Sequence, residues 1–184
     1  NYRGIQEIRK SAGIFGAYEK QRNFAKITIK VGRIKMKLLT AKDAEKIVEF
    51  MQLEGDRNQI LNTHIFSQLL LVRNLLFNSR LICLGDETED GKITKIFSVI
   101  LPPEKRTDMS TSLIALYLDE KFLKECLITY RELMENEKYK KIKFQIDGFT
   151  LNETLFKLLL SCGFKQELKI KTNTVDLAIL SWFY

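Results

Sequence analysis

Asn152-Glu153-Thr154-Leu155-Phe156-Lys157-Leu158-Leu159-Leu160-Ser161-Cys162-Gly163-Phe164 is the stretch on which the reading of this chain turns. Leu155, Phe156, Leu159 and Leu160 recur at the spacing of one helical face, which predicts an amphipathic helix with a buried stripe. Thr150 and Glu153 stand ahead of it at capping-box spacing. Behind it, Gly163 tolerates positive φ and Phe164 offers an apolar contact, the pattern of a left-handed helix stop. Upstream, Ile142, Phe144 and Ile146 alternate with Lys141, Lys143 and Gln145, predicting a strand that feeds this helix. Downstream, Leu168 and Ile170 begin another strand and Val175 to Phe183 a long final one.

The same strand-then-helix pattern occurs once more toward the N-terminus. Ser112 to Leu118 is a continuous apolar run suited to a central strand, and Asp119 caps a helix with the stripe Phe122, Leu123, Cys126, Leu127, Tyr130 and Met134. Before it, Leu81 to Leu84 and Ile93 to Leu101 read as an antiparallel hairpin, turned at Asp86 to Gly91 and closed by Pro102-Pro103. Thr40 with Asp43 opens a helix over 41–54, Gly55-Asp56 interrupts it, and Ile60 to Leu76 marks a longer apolar helical stretch. Alternation over 24–38 predicts two strands joined at Gly32-Arg33. The order is βααβββαβαββ, an α/β (α+β) chain without internal repeat: a basic extension or hairpin over 1–33, then one domain over 34–184.

Composition narrows the function classes. At 184 residues, 45% hydrophobic and 29% charged, the chain buries a sizeable core and is neither fibrous nor low-complexity. The longest aliphatic run, Leu69 to Val72, is far short of a membrane span, and the first residues lack an apolar signal core, so a cytoplasmic location is expected. Cys83, Cys126 and Cys162 are odd in number and sit in apolar stretches, as buried reduced thiols do. With His64 the sole histidine and no ligand spacing around it, no metal site is expected. Residues 1–42 hold eleven Lys and Arg against Glu7 and Glu19, a surplus of nine positive charges. Such an arm either contacts a polyanion such as nucleic acid or is a solvated extension covering a sheet edge.

The element order, together with Asn152 followed eleven and twelve residues later by Gly163 and Phe164, resembles the GNAT acetyltransferase superfamily over residues 34–184. The resemblance implies a mixed, splayed sheet holding acyl-coenzyme A, usually acetyl-CoA, between its fourth and fifth strands. It further implies direct acyl transfer from the thioester to an amine. On this chain it points to Leu116, Tyr117 and Leu118 on the fourth strand, Lys121 and Lys124 on the following helix, and Asn152 as cofactor-binding positions. Two departures accompany it. No glycine stands between residues 92 and 147, so the family's glycine-rich pyrophosphate loop is missing and Asp119 and Glu120 occupy its place. The tyrosine that many members carry seven residues after the helix Asn is Leu159.

Tyr117 or Tyr130 is then the candidate acid for the leaving thiolate, with Tyr130 also readable as core, and Glu104, Asp108 or Glu54 the candidate base for the amine. The expected activity is an acyl-CoA-dependent N-acyltransferase acting on an amine of a small molecule, peptide or protein. The alternatives are a GNAT-fold binding or regulatory module without catalysis, and nucleic-acid binding through residues 1–42.

Overall fold

The computed structural model describes residues 36–55, 64–102, 110–135, 141–150 and 152–183. The basic extension over 1–33 and the strand expected from Phe24 to Val31 lie outside the described residues.

Among the described residues seven strands form one sheet: β1 (Met36–Leu39), β2 (Leu81–Glu87), β3 (Ile93–Ile100), β4 (Ser110–Leu116), β5 (Lys141–Asp147), β6 (Lys165–Lys171) and β7 (Asp176–Phe183), in the spatial order β1-β2-β3-β4-β5-β7-β6. Every pairing is antiparallel except β4 with β5. Helices α1 (Ala44–Gly55), α2 (Leu69–Phe77), α3 (Glu120–Leu133) and α4 (Glu153–Ser161) complete the expected βααβββαβαββ order.

Local chemistry accounts for most boundaries. The Thr40–Asp43 capping box forms: the Asp43 carboxylate accepts the Thr40 amide at 2.8 Å, opening a 3-10 turn that runs into α1. The helix expected over 60–76 begins later, because an extended Gln68 separates a 3-10 turn (His64–Ser67) from α2. At the end of α4, Gly163 has φ +91°; its amide bonds Leu160 O and that of Phe164 bonds Leu159 O, the paired bonds of a left-handed helix stop.

One cap differs from expectation. Asn152, not Thr150, precedes α4; the Thr150 hydroxyl accepts from Lys171 Nζ at 2.8 Å, and Glu153 pairs with Lys157 at 2.8 Å.

Two apolar layers sandwich the sheet. Ile47, Met51, Val72 and Leu76 of α1 and α2 pack with Leu39, Leu81, Cys83 and Ile96. The stripe of α3 and Leu155 and Leu159 of α4 pack with Leu84, Phe97, Val99, Ile142, Phe144 and Leu180. Burying such stripes is the main stabilising term, at roughly 25 cal/mol per Å² of apolar surface.

Candidate active site

The two central strands are joined only where they begin. β4 and β5 pair at Ser110–Lys141, Thr111–Ile142 and Ser112–Lys143, and beyond Ser112 and Lys143 neither is paired to the other. Each remains tied to its outer neighbour: β5 pairs with β7 from Lys141 to Asp147, and β4 continues beside β3 to Leu116. The register slips by one residue against Ser98 and Val99, leaving Ile114 without a partner on β3, and such a bulge bends the strand that carries it. The sheet therefore opens as a V toward the C-terminal ends of its one parallel pair, where α3 and α4 begin. A crevice at the carboxyl ends of parallel strands, at the point where connections diverge, is where open sheets take ligands.

The closed end of the V is pinned by a buried polar knot. Thr111 Oγ1 lies 2.9 Å from Tyr130 Oη and 3.3 Å from Lys141 O, so α3, β4 and β5 meet at one fully buried hydroxyl. Tyr130 is thus core with a satisfied hydroxyl, its ring edge-on to Phe97 at 6.4 Å, and its place is in the pin and not the open cleft.

At the open end, Leu116 is fully buried, and Tyr117 and Leu118 are half-buried against the core. Tyr117 closes β4 through its amide on Ile96 O at 2.9 Å, and its ring lies 5.9 Å from Lys95 Nζ. Asp119 caps α3, its Oδ1 accepting the Phe122 amide at 2.7 Å and its Oδ2 the Lys95 ammonium at 2.9 Å. Burial works against the charge on Asp119, but the Phe122 amide and Lys95 together outweigh it and hold the carboxyl below its ordinary value. Lys124 turns to Glu120 at 2.6 Å, and Lys121, three residues earlier, is exposed.

Across the notch, Asn152 does not cap α4 with its side chain. Its Nδ2 donates to Asp147 O at 3.2 Å and Gly148 O at 3.3 Å, fastening the turn out of β5. Glu104 and Asp108 lie outside the described residues, and Glu54 is half-buried at the end of α1.

Leu159 is fully buried. Cys83, Cys126 and Cys162 are free and buried, and burial pushes the Cys83 thiol up to about 12 despite the Ser98 hydroxyl at 2.9 Å and pushes the other two up as well. Among the described residues no cluster suits a metal ion, and no helix is long and apolar enough to cross a membrane. What sequence reasoning missed is Lys95: its partner Asp119 lies 24 residues away, and no local pattern announces that contact.

No protein-family model matches this sequence, and no curated protein is similar to it in sequence. Solved structures are similar in fold. A ribosomal-protein-S5-alanine acetyltransferase from Vibrio fischeri superposes with a TM-score of 0.60 at 13% identity, over 85% of this chain and 96% of that one. An acetyltransferase of the GNAT family from Streptococcus pneumoniae gives 0.58 at 14%, over 81% and 98%. The microcin C7 self-immunity acetyltransferase MccE, solved with acetyl-CoA and AMP, gives 0.59 at 14%, over 88% and 98%. This chain has the GNAT acetyltransferase fold.

Proposed function

We propose that this chain is a GNAT-type N-acyltransferase that moves an acetyl group from a thioester to an amine. The observation that carries the reading is that β4 and β5 stop pairing after Ser112 and Lys143, with a bulge at Ile114 in the β3–β4 register just beyond. A flat, fully paired sheet has no room for a thioester arm; two strands with backbone groups facing an open notch offer the amide partners that a pantetheine chain needs.

The fit differs along acetyl-CoA. The notch suits the pantetheine and thioester, while the start of α3, carrying Asp119 and Glu120 and no glycine, does not suit a diphosphate. In the transfer, the amine nitrogen bonds to the thioester carbonyl carbon and the C–S bond breaks. The amine gives up one proton and the thiolate takes one up. Tyr117, at the open end of β4, is the proposed proton donor to sulfur, and backbone amides facing the notch are the proposed donors to the tetrahedral oxyanion.

Ligand-linked stability tests the reading. At a hundredfold excess over Kd, a ligand of the native state stabilises it by about 2.7 kcal/mol, so millimolar acetyl-CoA or S-acetylpantetheine should raise the melting temperature by several degrees. If neither moves it, the acyltransferase reading fails. A second reading, a GNAT-fold module without catalysis, is favoured by the carboxylate seated at the start of α3; thioester binding without turnover on any of a panel of amines is its signature.

A further inference from the structure

Helix N-termini attract phosphate because their first amides lack partners and the dipole is positive there. At the start of α3 the chain itself takes up part of that capacity. The Asp119 amide donates to Tyr117 O at 2.9 Å and that of Phe122 to Asp119 Oδ1 at 2.7 Å, so the cap on this helix is the chain's own carboxylate. The nearest cation on the sheet, Lys95, is bound to Asp119 Oδ2 at 2.9 Å and lies 5.9 and 5.8 Å from the rings of Tyr117 and Phe122. The next side chain, Glu120, adds a second carboxylate and takes Lys124 for itself. The chain's own anion occupies the place where the fold would put one from a ligand.

We infer that this chain selects its acyl donor through the pantetheine arm alone, and that Asp119 with Lys95 excludes the nucleotide diphosphate from the start of α3. The donor class is then a pantetheine thioester whose affinity gains nothing from an attached adenosine diphosphate. This rests on the acyltransferase reading, since it concerns the far end of the same ligand. A diphosphate placed there would have to displace the Asp119 carboxylate from the Phe122 amide and from Lys95, and Glu120 from Lys124, before it gained any of these partners.

Titration calorimetry on the full chain with S-acetylpantetheine, S-acetyl-4′-phosphopantetheine and acetyl-CoA tests this. The three share the thioester and differ only beyond the arm. Dissociation constants equal within about threefold support the inference. Acetyl-CoA binding tenfold or more tightly than S-acetylpantetheine overturns it and leaves the acyltransferase reading standing. Binding of none of the three overturns both.

The variant Asp119→Asn separates charge from fold, because Asn caps a helix about as well as Asp. It should tighten acetyl-CoA binding at least fivefold and leave S-acetylpantetheine unchanged. An unaltered ratio removes Asp119 from the selection.

Discussion

Tyr117 stands where β4 leaves the sheet, half-buried, its backbone tied to Ile96 and its ring near the Lys95 ammonium. Its hydroxyl is the proposed proton donor to the departing thiolate, a role that requires a positioned group. General-acid catalysis of this kind is worth roughly 10²-fold or more. Tyr117→Phe should therefore lower kcat about a hundredfold while the thioester KM stays within about threefold. Steady-state kinetics with a responsive amine check it, and a kcat within threefold of the parent removes Tyr117 from the chemistry. At this scale the sequence was informative wherever the relevant partner was close by. Asp119 as a cap, Tyr130 as core and Cys126 as a buried thiol all follow from helical spacing. Lys95 does not, because its contact with Asp119 exists only once β3 and the start of α3 are neighbours.

Among the elements, the junction of β4, β5 and α3 decides whether there is a cleft at all. Thr111, Tyr130 and the Lys141 carbonyl hold the two strands together at their beginnings, and their pairing ends just before the Ile114 bulge. Replacing Tyr130 by Phe leaves the Thr111 hydroxyl without its 2.9 Å partner in a buried place. Because Thr111 keeps its bond to Lys141 O, the loss is that of one hydrogen bond, about 0.5–1.5 kcal/mol. Tyr130→Phe should thus lower stability by about that much in denaturant unfolding; a change under about 0.3 kcal/mol would show that the pin carries no load. The elements were legible because apolar periodicity switches between two and 3.6 along the chain, most cleanly at Ile142 to Ile146 and again at Leu155 to Leu160. The parting of the strands was not, since a bulge and a three-residue pairing leave no mark on hydrophobic alternation and entered only through the resemblance. The cap of α4 also differs: Thr150 has the right spacing, and its hydroxyl meets Lys171, on a strand still to come in the sequence.

For the molecule as a whole, the sheet order and the two apolar layers depend on contacts between distant segments, so local patterns alone specify them least. One such long-range device is an ion network that closes the β1 edge. Lys37 Nζ lies 2.9 Å from Asp43 Oδ1 and 3.1 Å from Glu87 Oε2, and Lys46 Nζ 3.0 Å from Glu87 Oε1 and 2.9 Å from Gly91 O. It thereby joins β1, the turn into α1, α1 itself and the β2–β3 hairpin. Burial opposes the charges on Asp43 and Glu87, yet hydrogen bonds to Asp43 from the Thr40 amide and Lys37, and to Glu87 from Lys46 and Lys37, outweigh it and hold both carboxyls below their ordinary values. Lys37 is raised above 10.5, its own burial outweighed by the same partners. A carboxylate depressed in the folded state contributes stability that is complete above its unfolded pKa of about 4 and is lost as pH falls through the folded value; a raised lysine loses its contribution only as pH climbs beyond its ordinary range. Stability set by these groups should hold level from about pH 5 to 9 and fall steeply below about pH 4. Asp43→Asn, which keeps the side chain's size and removes its charge, should lower the melting temperature at pH 7 and flatten the acid limb between pH 5 and 3 in a calorimetric series. An acid limb of unchanged slope, with the melting temperature lowered equally at every pH, would mean that Asp43 acts as a neutral cap and that its ion pair with Lys37 contributes nothing to holding β1 on the sheet.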